Sequence, residues 1–246
     1  MSGTEMHTVR SFEDELNQLS DIILRMGGMA EAQLTAAVQA LVRRDSPAAT
    51  GIIVADHRID ALEQDIHALA VRILALRQPM ADDLRAIVSA LKISADLERI
   101  GDYAANVAKR VLVINQLPPV PALASIPLMG RLVQEIIKEV LDAYVERDVD
   151  KALGVWHRDQ EVDELHTSMF RELVSLMMED PRNITACTHL MFVAKNIERI
   201  GDHATNIAET VHFLTVGRVL PMARPKGDQT GEFIAPVQSS GSSRDT

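Results

Sequence analysis

Glu98-Arg99-Ile100-Gly101-Asp102-Tyr103-Ala104-Ala105-Asn106-Val107-Ala108-Lys109-Arg110 returns a hundred residues later as Glu198-Arg199-Ile200-Gly201-Asp202-His203-Ala204-Thr205-Asn206-Ile207-Ala208-Glu209-Thr210. Eight positions are identical, and each copy carries Glu-x-x-x-Asp followed four residues later by Asn. Self-similarity at this distance marks two related structural units in one chain. Around the first copy, Leu84, Ile87, Leu91, Ser94, Glu98, Gly101, Ala105, Ala108 and Leu112 recur at intervals of three and four. That spacing is helical, so the repeat lies on a helix and Glu98 falls inside that helix's apolar seam.

Working backwards, Leu16, Leu19, Ile23, Met26, Ala30, Leu34, Ala37 and Leu41 predict a first helix over about residues 8–44. Asp45-Ser46-Pro47 stops it and starts the next, with Pro47 suited to an early helical position. Ile52, Ile59, Leu62, Ile66, Leu69, Ile73 and Leu76 then predict one second helix that ends near Pro79. Pro118, Pro119 and Pro121 break the chain, and helices over about 123–147, 150–178 and 183–215 repeat the plan. The register agrees: Asp45, Asp56 and Asp60 answer Asp148, Asp159 and Asp163 at an offset of 103 residues, which falls to 100 between Glu98 and Glu198. A turn absorbs such a change of length. The expected fold is therefore all-α, two tandem three-helix bundles over residues 1–118 and 119–220, with 221–246 as a disordered Pro/Gly/Ser tail.

Hydrophobic residues make up 47% of the chain but aromatics only 3%, so each core must be aliphatic, which suits packed helices. The formal net charge of −10 argues against nucleic acid and suits cations or a basic partner surface. The one cysteine, Cys187, can form no internal disulfide and reads as a small core residue. The start has no signal-peptide core, and no apolar run approaches the ~20 residues of a membrane span. The chain is expected in the cytoplasm, meeting a membrane only through partner proteins. Neither nucleotide-binding glycine motif is present, and no nucleophile has a recognisable base, so no enzyme is expected.

Four carboxylate pairs stand at i, i+4: Asp56/Asp60, Glu98/Asp102, Asp159/Asp163 and Glu198/Asp202. Residues at this spacing lie one above the other, where like charges repel. If the second and third helices of each unit face one another, four carboxylates converge. At ~5 Å and an effective dielectric near 20, each pair of charges repels by roughly 3 kcal/mol. A bound cation removes that cost, and protonation or water relieves it too. A lone acidic pair is ordinarily a solvated face; four at equivalent places in two repeats point to metal. His166 is either a further ligand or a partly exposed residue, and Asn106 and Asn206 are expected to hydrogen-bond rather than ligate.

The stretch Lys195-Asn-Ile-Glu-Arg-Ile-Gly-Asp-His-Ala-Thr-Asn-Ile-Ala-Glu209 closely resembles the signature of the PhoU family of bacterial regulators of phosphate uptake and phosphate signalling. Asp96-Leu-Glu-Arg-Ile-Gly-Asp-Tyr-Ala-Ala-Asn-Val-Ala-Lys109 resembles its partner in the first repeat, and the likeness covers about residues 8–217. The resemblance implies a pseudo-two-fold relation between the bundles, frequent homodimerisation, and metal at all eight acids of the four pairs. The candidate ions are Fe, Mn, Mg or Zn. It further implies a negative regulator of phosphate uptake and of the phosphate-starvation response. Such a protein contacts the ATPase subunit of the phosphate ABC transporter and the sensor histidine kinase. Glu63 stands where the other half has His166, and Lys109 where it has Glu209, so the two sites are expected to differ in affinity. Two rivals remain. One is a carboxylate-bridged di-metal bundle enzyme, against which stands the single Asp163-Glu-Leu-His166 where paired Glu-x-x-His motifs are needed. The other is a metal-free helical scaffold in which Arg99 and Arg199 neutralise the acids across helices.

Overall fold

The fold is read from a computed structural model that describes residues 3–120 and 125–221, with side chains from Phe12 onward. The expected tail beyond Pro221 and linker residues 121–124, Pro121 among them, lie outside the described residues. Within them the chain is helical and has no strand. The helices are α1 (Gly3–Arg43), α2 (Ser46–Ala55), α3 (His57–Arg77), α4 (Ala81–Ile114), α5 (Ser125–Glu146), α6 (Val149–Glu179) and α7 (Ile184–Val216). No described helix is long and apolar enough to cross a membrane.

The turns obey the expected chemistry. Asp45 caps α2 by accepting from the Ala48 amide at 2.9 Å, and its equivalent Asp148 caps α6 by accepting from Lys151 at 3.0 Å. One expectation needs correction: the second helix is two helices, α2 and α3, parted at Asp56. There the Ile59 amide reaches back only three residues, to the Asp56 carbonyl at 2.8 Å, and the His57 ring takes the Val54 carbonyl. The β-branched run Ile52-Ile53-Val54 beside Gly51 weakens the helix at that point. The corresponding α6 lacks that run and is continuous.

The apolar seams are buried as their spacing requires. Ile23, Met26, Leu34, Ile59, Ile66 and Ile87 are fully enclosed. Leu76 and Leu84, assigned to seams from spacing, instead face solvent at 67% and 40% exposure, because each lies at a helix end beyond the reach of its neighbours. The two repeat units, α1–α4 and α5–α7, share one continuous core rather than forming separate ones. Fully burying each such aliphatic side chain contributes about 1.5–3 kcal/mol.

The contact between units carries a pseudo-two-fold relation. A Cβ built on Gly27 would stand 2.6 Å from Leu141 Cδ2, and one on its repeat equivalent Gly130 would stand 2.8 Å from Val38 Cγ2. Val38 and Leu141 are themselves equivalents, so α1 and α5 cross antiparallel around a common axis. On the opposite side α4 runs antiparallel to α7, and the equivalent residues Tyr103 and His203 stack on each other at 5.6 Å. Asp96 joins the halves there, accepting from Asn206 Nδ2 at 3.3 Å and lying 2.8 Å from His203 Nδ1.

Gly27 and its neighbour Gly28 therefore have opposite roles, since a Cβ on exposed Gly28 would meet nothing within 4 Å. Gly27→Leu is expected to cost about 1–3 kcal/mol by overpacking. Gly28→Ala should stabilise by up to ~1 kcal/mol through helix propensity. Urea melts of the two variants check this, and equal midpoints would contradict the assigned axis.

Candidate functional site

In the first half, α3 brings Asp60 and Glu63 towards Glu98 and Asp102 of α4, with Asp56 at the α2–α3 junction. The acids share one electrostatic field. Partial burial raises the Glu98 carboxyl above its ordinary range; Asp102, Glu63 and Asp60 raise it further while Arg99 opposes. Asp56 is raised by partial burial, then held back by a hydrogen bond from Gln33 and pushed up again by Asp102 and Asp60. Gln33, buried on α1, donates through Nε2 to Asp56 Oδ1 at 2.8 Å and to the Gly101 carbonyl at 3.2 Å. Gly101 leaves room for Ile59 and Asp56 here: a Cβ on it would stand 2.8 Å from Ile59 Cδ1 and 3.3 Å from Asp56 Oδ1.

The second half repeats the arrangement and buries it more deeply. Asp159, Asp163 and His166 of α6, with Glu198 of α7, are each no more than 5% exposed. The first-half acids are half-buried, and the Asp102 side chain is 39% exposed. Thr205, fully buried, donates to Asp159 Oδ1 at 3.3 Å and to the Gly201 carbonyl at 3.0 Å. Glu198 accepts from Lys195 Nζ through Oε1 at 2.8 Å, while its Oε2 is buried with no hydrogen-bond partner among the described residues. Burial pushes the Glu198 carboxyl up to about 7; Lys195 opposes this, and Asp202 and Asp163 add to it.

As the side chains stand, no three His, Cys, Asp or Glu groups among the described residues close on one ion-sized point. Cationic side chains lie on the acids instead. Arg99 bridges Glu98 at 3.4 Å and Asp102 at 3.1 Å, both on its own helix, and is 57% exposed. An exposed pair of this kind is worth little. Arg199 turns to the Tyr103 ring, 5.5 Å from its centre. Among the described residues, neither therefore makes the cross-helix neutralising pair that the scaffold reading needs. The eight acids offer oxygen donors, and Glu198 Oε2 is buried without a hydrogen-bond partner among the described residues, which fits a hard divalent cation.

The four predicted acidic pairs lie along the two facing helix pairs, α3/α4 and α6/α7, except that Asp56 sits at the α2–α3 junction. Asn106 and Asn206 hydrogen-bond, to Lys109 and Asp96. His166 is buried, which decides against the partly exposed alternative. Sequence reasoning missed Gln33, Thr205 and Lys195. Gln33 stands beside Leu34 of the α1 seam, and Thr205 replaces Ala105 between the two copies, so both left a signal.

Glu198 also generates a pH dependence. Its folded-state value of about 7 lies above the ordinary 4.5. The stability it contributes is complete below pH ~4.5 and is lost as pH rises through about 7. In chelator-treated protein this loss is on the order of 3 kcal/mol, and Glu198→Gln is expected to abolish it. Urea melts at pH 5 and pH 8 measure the difference, and identical pH slopes for both proteins would refute it.

The PhoU domain family matches residues 23–111 and 126–211, the two repeats. A phosphate-specific transport system accessory protein PhoU homologue of Caulobacter vibrioides is 54% identical over 223 residues, 90% of this chain and 97% of that protein. A homologue bearing the same description from Xylella fastidiosa is 52% identical over 229 residues, 93% of this chain and 95% of that one. Among solved structures, PhoU from Pseudomonas aeruginosa superimposes with a TM-score of 0.81 at 42% identity, covering 84% of this chain and all of that chain. The phosphate transport system regulatory protein PhoU from Streptococcus pneumoniae gives 0.80 at 29% identity, over 86% of this chain and all of that one. With both repeats matched and the likeness running over most of its length, the chain belongs to the PhoU family.

Proposed function

We propose that this chain is a cytoplasmic, non-catalytic negative regulator of phosphate uptake and of the phosphate-starvation response. It acts as a metal-binding adaptor between the phosphate transporter's ATPase subunit and a sensor histidine kinase, and it works as a homodimer. The observation that carries the reading is the near full-length likeness to proteins described as accessory to phosphate-specific transport.

The metal is assigned to Asp56, Asp60, Glu98 and Asp102 in one half and to Asp159, Asp163, Glu198 and Asp202 in the other. Bound there, a cation supplies positive charge between facing helices and neutralises repulsion the protein otherwise carries. The protein's own groups do the rest. Gln33 and Thr205 orient Asp56 and Asp159 by donating to them, as outer hydrogen bonds commonly orient ligand groups. Gly101 lets the carboxylates approach one another. The deeper burial of the second cluster makes it the tighter site.

Elemental analysis of protein purified without chelator tests the assignment. Replacing Asp56, Asp60, Glu98 and Asp102 by Ala is expected to halve the bound metal, and replacing the second four should remove the fraction that survives dialysis. Unchanged metal in both variants would remove the assignment. Capture of the ATPase subunit and the kinase by the native protein tests the adaptor role separately; recovery of neither would end it.

A further inference from the structure

Along the outer edge of the α4–α7 contact, three cations are held over aromatic rings of the facing helix. Lys92 Nζ stands 5.5 Å from the centre of the Phe213 ring, Arg199 Cζ 5.5 Å from that of Tyr103, and Arg110 Cζ 4.4 Å from that of Phe192. Arg110 also meets His189 Nδ1 at 3.3 Å. Lys92 and Arg199 are exposed, Arg110 is half-buried, and Phe192 is 48% exposed. Among the described residues no carboxylate forms an ion pair with any of the three. Asp96, the acid on the same stripe, is taken by His203 and Asn206, and Arg99 sits on Glu98 and Asp102. A chain with a formal net charge of −10 therefore carries a cationic, aromatic stripe between its two repeats.

Spacing selects what the stripe can hold. Lys92 and Arg110 lie 18 residues apart on α4. Helical rise puts them about 27 Å apart, with Arg199 over Tyr103 between them, ~16 Å from the first and ~10 Å from the second. No small anion spans such gaps. A polyanion charged at every step, such as nucleic acid, meets Glu98 and Asp102 beside the stripe and is repelled. A helix with widely spaced acids avoids them. Its positions i, i+11 and i+18 share one face, because these steps make about three and five turns. A second copy of this chain fits poorly, since an isologous contact centred on Tyr103 and His203 sets cation against cation.

We propose that this stripe docks an acidic helix of a partner protein, with acids at that spacing on Lys92, Arg199 and Arg110 and small apolar residues against Phe192 and Tyr103. Rings beneath the cations hold them in place and leave their N–H groups to bond outward. Complementary charge then fixes the register of the incoming helix. The proposal rests on the adaptor reading and gives it a contact surface.

Fluorescence anisotropy tests it with a labelled Ala/Gln-based helical peptide carrying Glu at i, i+11 and i+18. The control peptide has the same composition with its Glu residues on three different faces. The first is expected to bind the native protein at least tenfold more tightly than the control. Lys92→Glu with Arg110→Glu and Arg199→Glu should abolish that preference, and a peptide with Lys at the three positions should bind this variant. Lys92→Gln with Arg199→Gln, at exposed positions, should weaken binding by a smaller factor. Absent or equal binding of the two Glu peptides to the native protein overturns the proposal, as does unchanged binding to both variants. Tighter binding of a single-stranded oligothymidylate also overturns it, and so does dissociation of a dimer on charge reversal, which assigns the stripe to a second copy. Failure to capture the ATPase subunit and the kinase leaves these peptide results as they are, so the adaptor reading and the docking stripe fail separately.

Discussion

Negative charge held close to negative charge, between helices that small residues bring together, is the constraint on which this structure turns. Glu98 and Glu198 occupy seam positions where an aliphatic side chain would pack without penalty. Glycine stands three residues on in each copy, and in the first half its bare Cα makes room for Ile59 and for the Asp56 carboxylate. Burial and like charge then act in the same direction, raising Glu98, Asp56 and, most of all, Glu198. A fold does not keep such groups for stability alone, because apolar replacements pack as well without the desolvation cost. Perturbed carboxyls of this kind concentrate where charge is used.

Duplication explains why the arrangement occurs twice, and the departures from symmetry show what each copy does with it. Tyr103 and His203 meet across the axis, and Asp96 pairs with His203 from one side only, since its equivalent is Asn196. The helix carrying Asp56 breaks beside it, whereas Asp159 lies within an unbroken helix. Lys109 lowers the Asp56 carboxyl, while its counterpart Glu209 accepts instead from Trp156 Nε1 at 3.2 Å. The second cluster is thus the more deeply buried of the two, with Lys195 held on Glu198.

Much of this was legible in the residues. Period 3.6 placed the long helices to within a few residues, Asp45 and its equivalent Asp148 fell at true helix boundaries, and the doubled motif identified both the family and the facing acids. The break at Asp56 was not legible as a boundary. Its cause lies in the balance between a β-branched run and tertiary packing, which periodicity does not weigh. Leu76 and Leu84 kept perfect register yet face water, because a helical pattern cannot say where the neighbouring helix stops. The shared core between units was hidden as well. Gly27 and Gly130 look like any helical glycine until Leu141 and Val38 are seen against them.

The central claim is that a cation and a proton compete for the same buried carboxylates. Isothermal titration calorimetry of a divalent ion such as Mn into the metal-free protein, in buffers of different ionisation enthalpy, counts the protons released on binding. The account predicts proton release at pH 6 that falls away by pH 8, as Glu198 loses its proton without help. Binding with no pH-dependent proton release, or no binding at all, would contradict it.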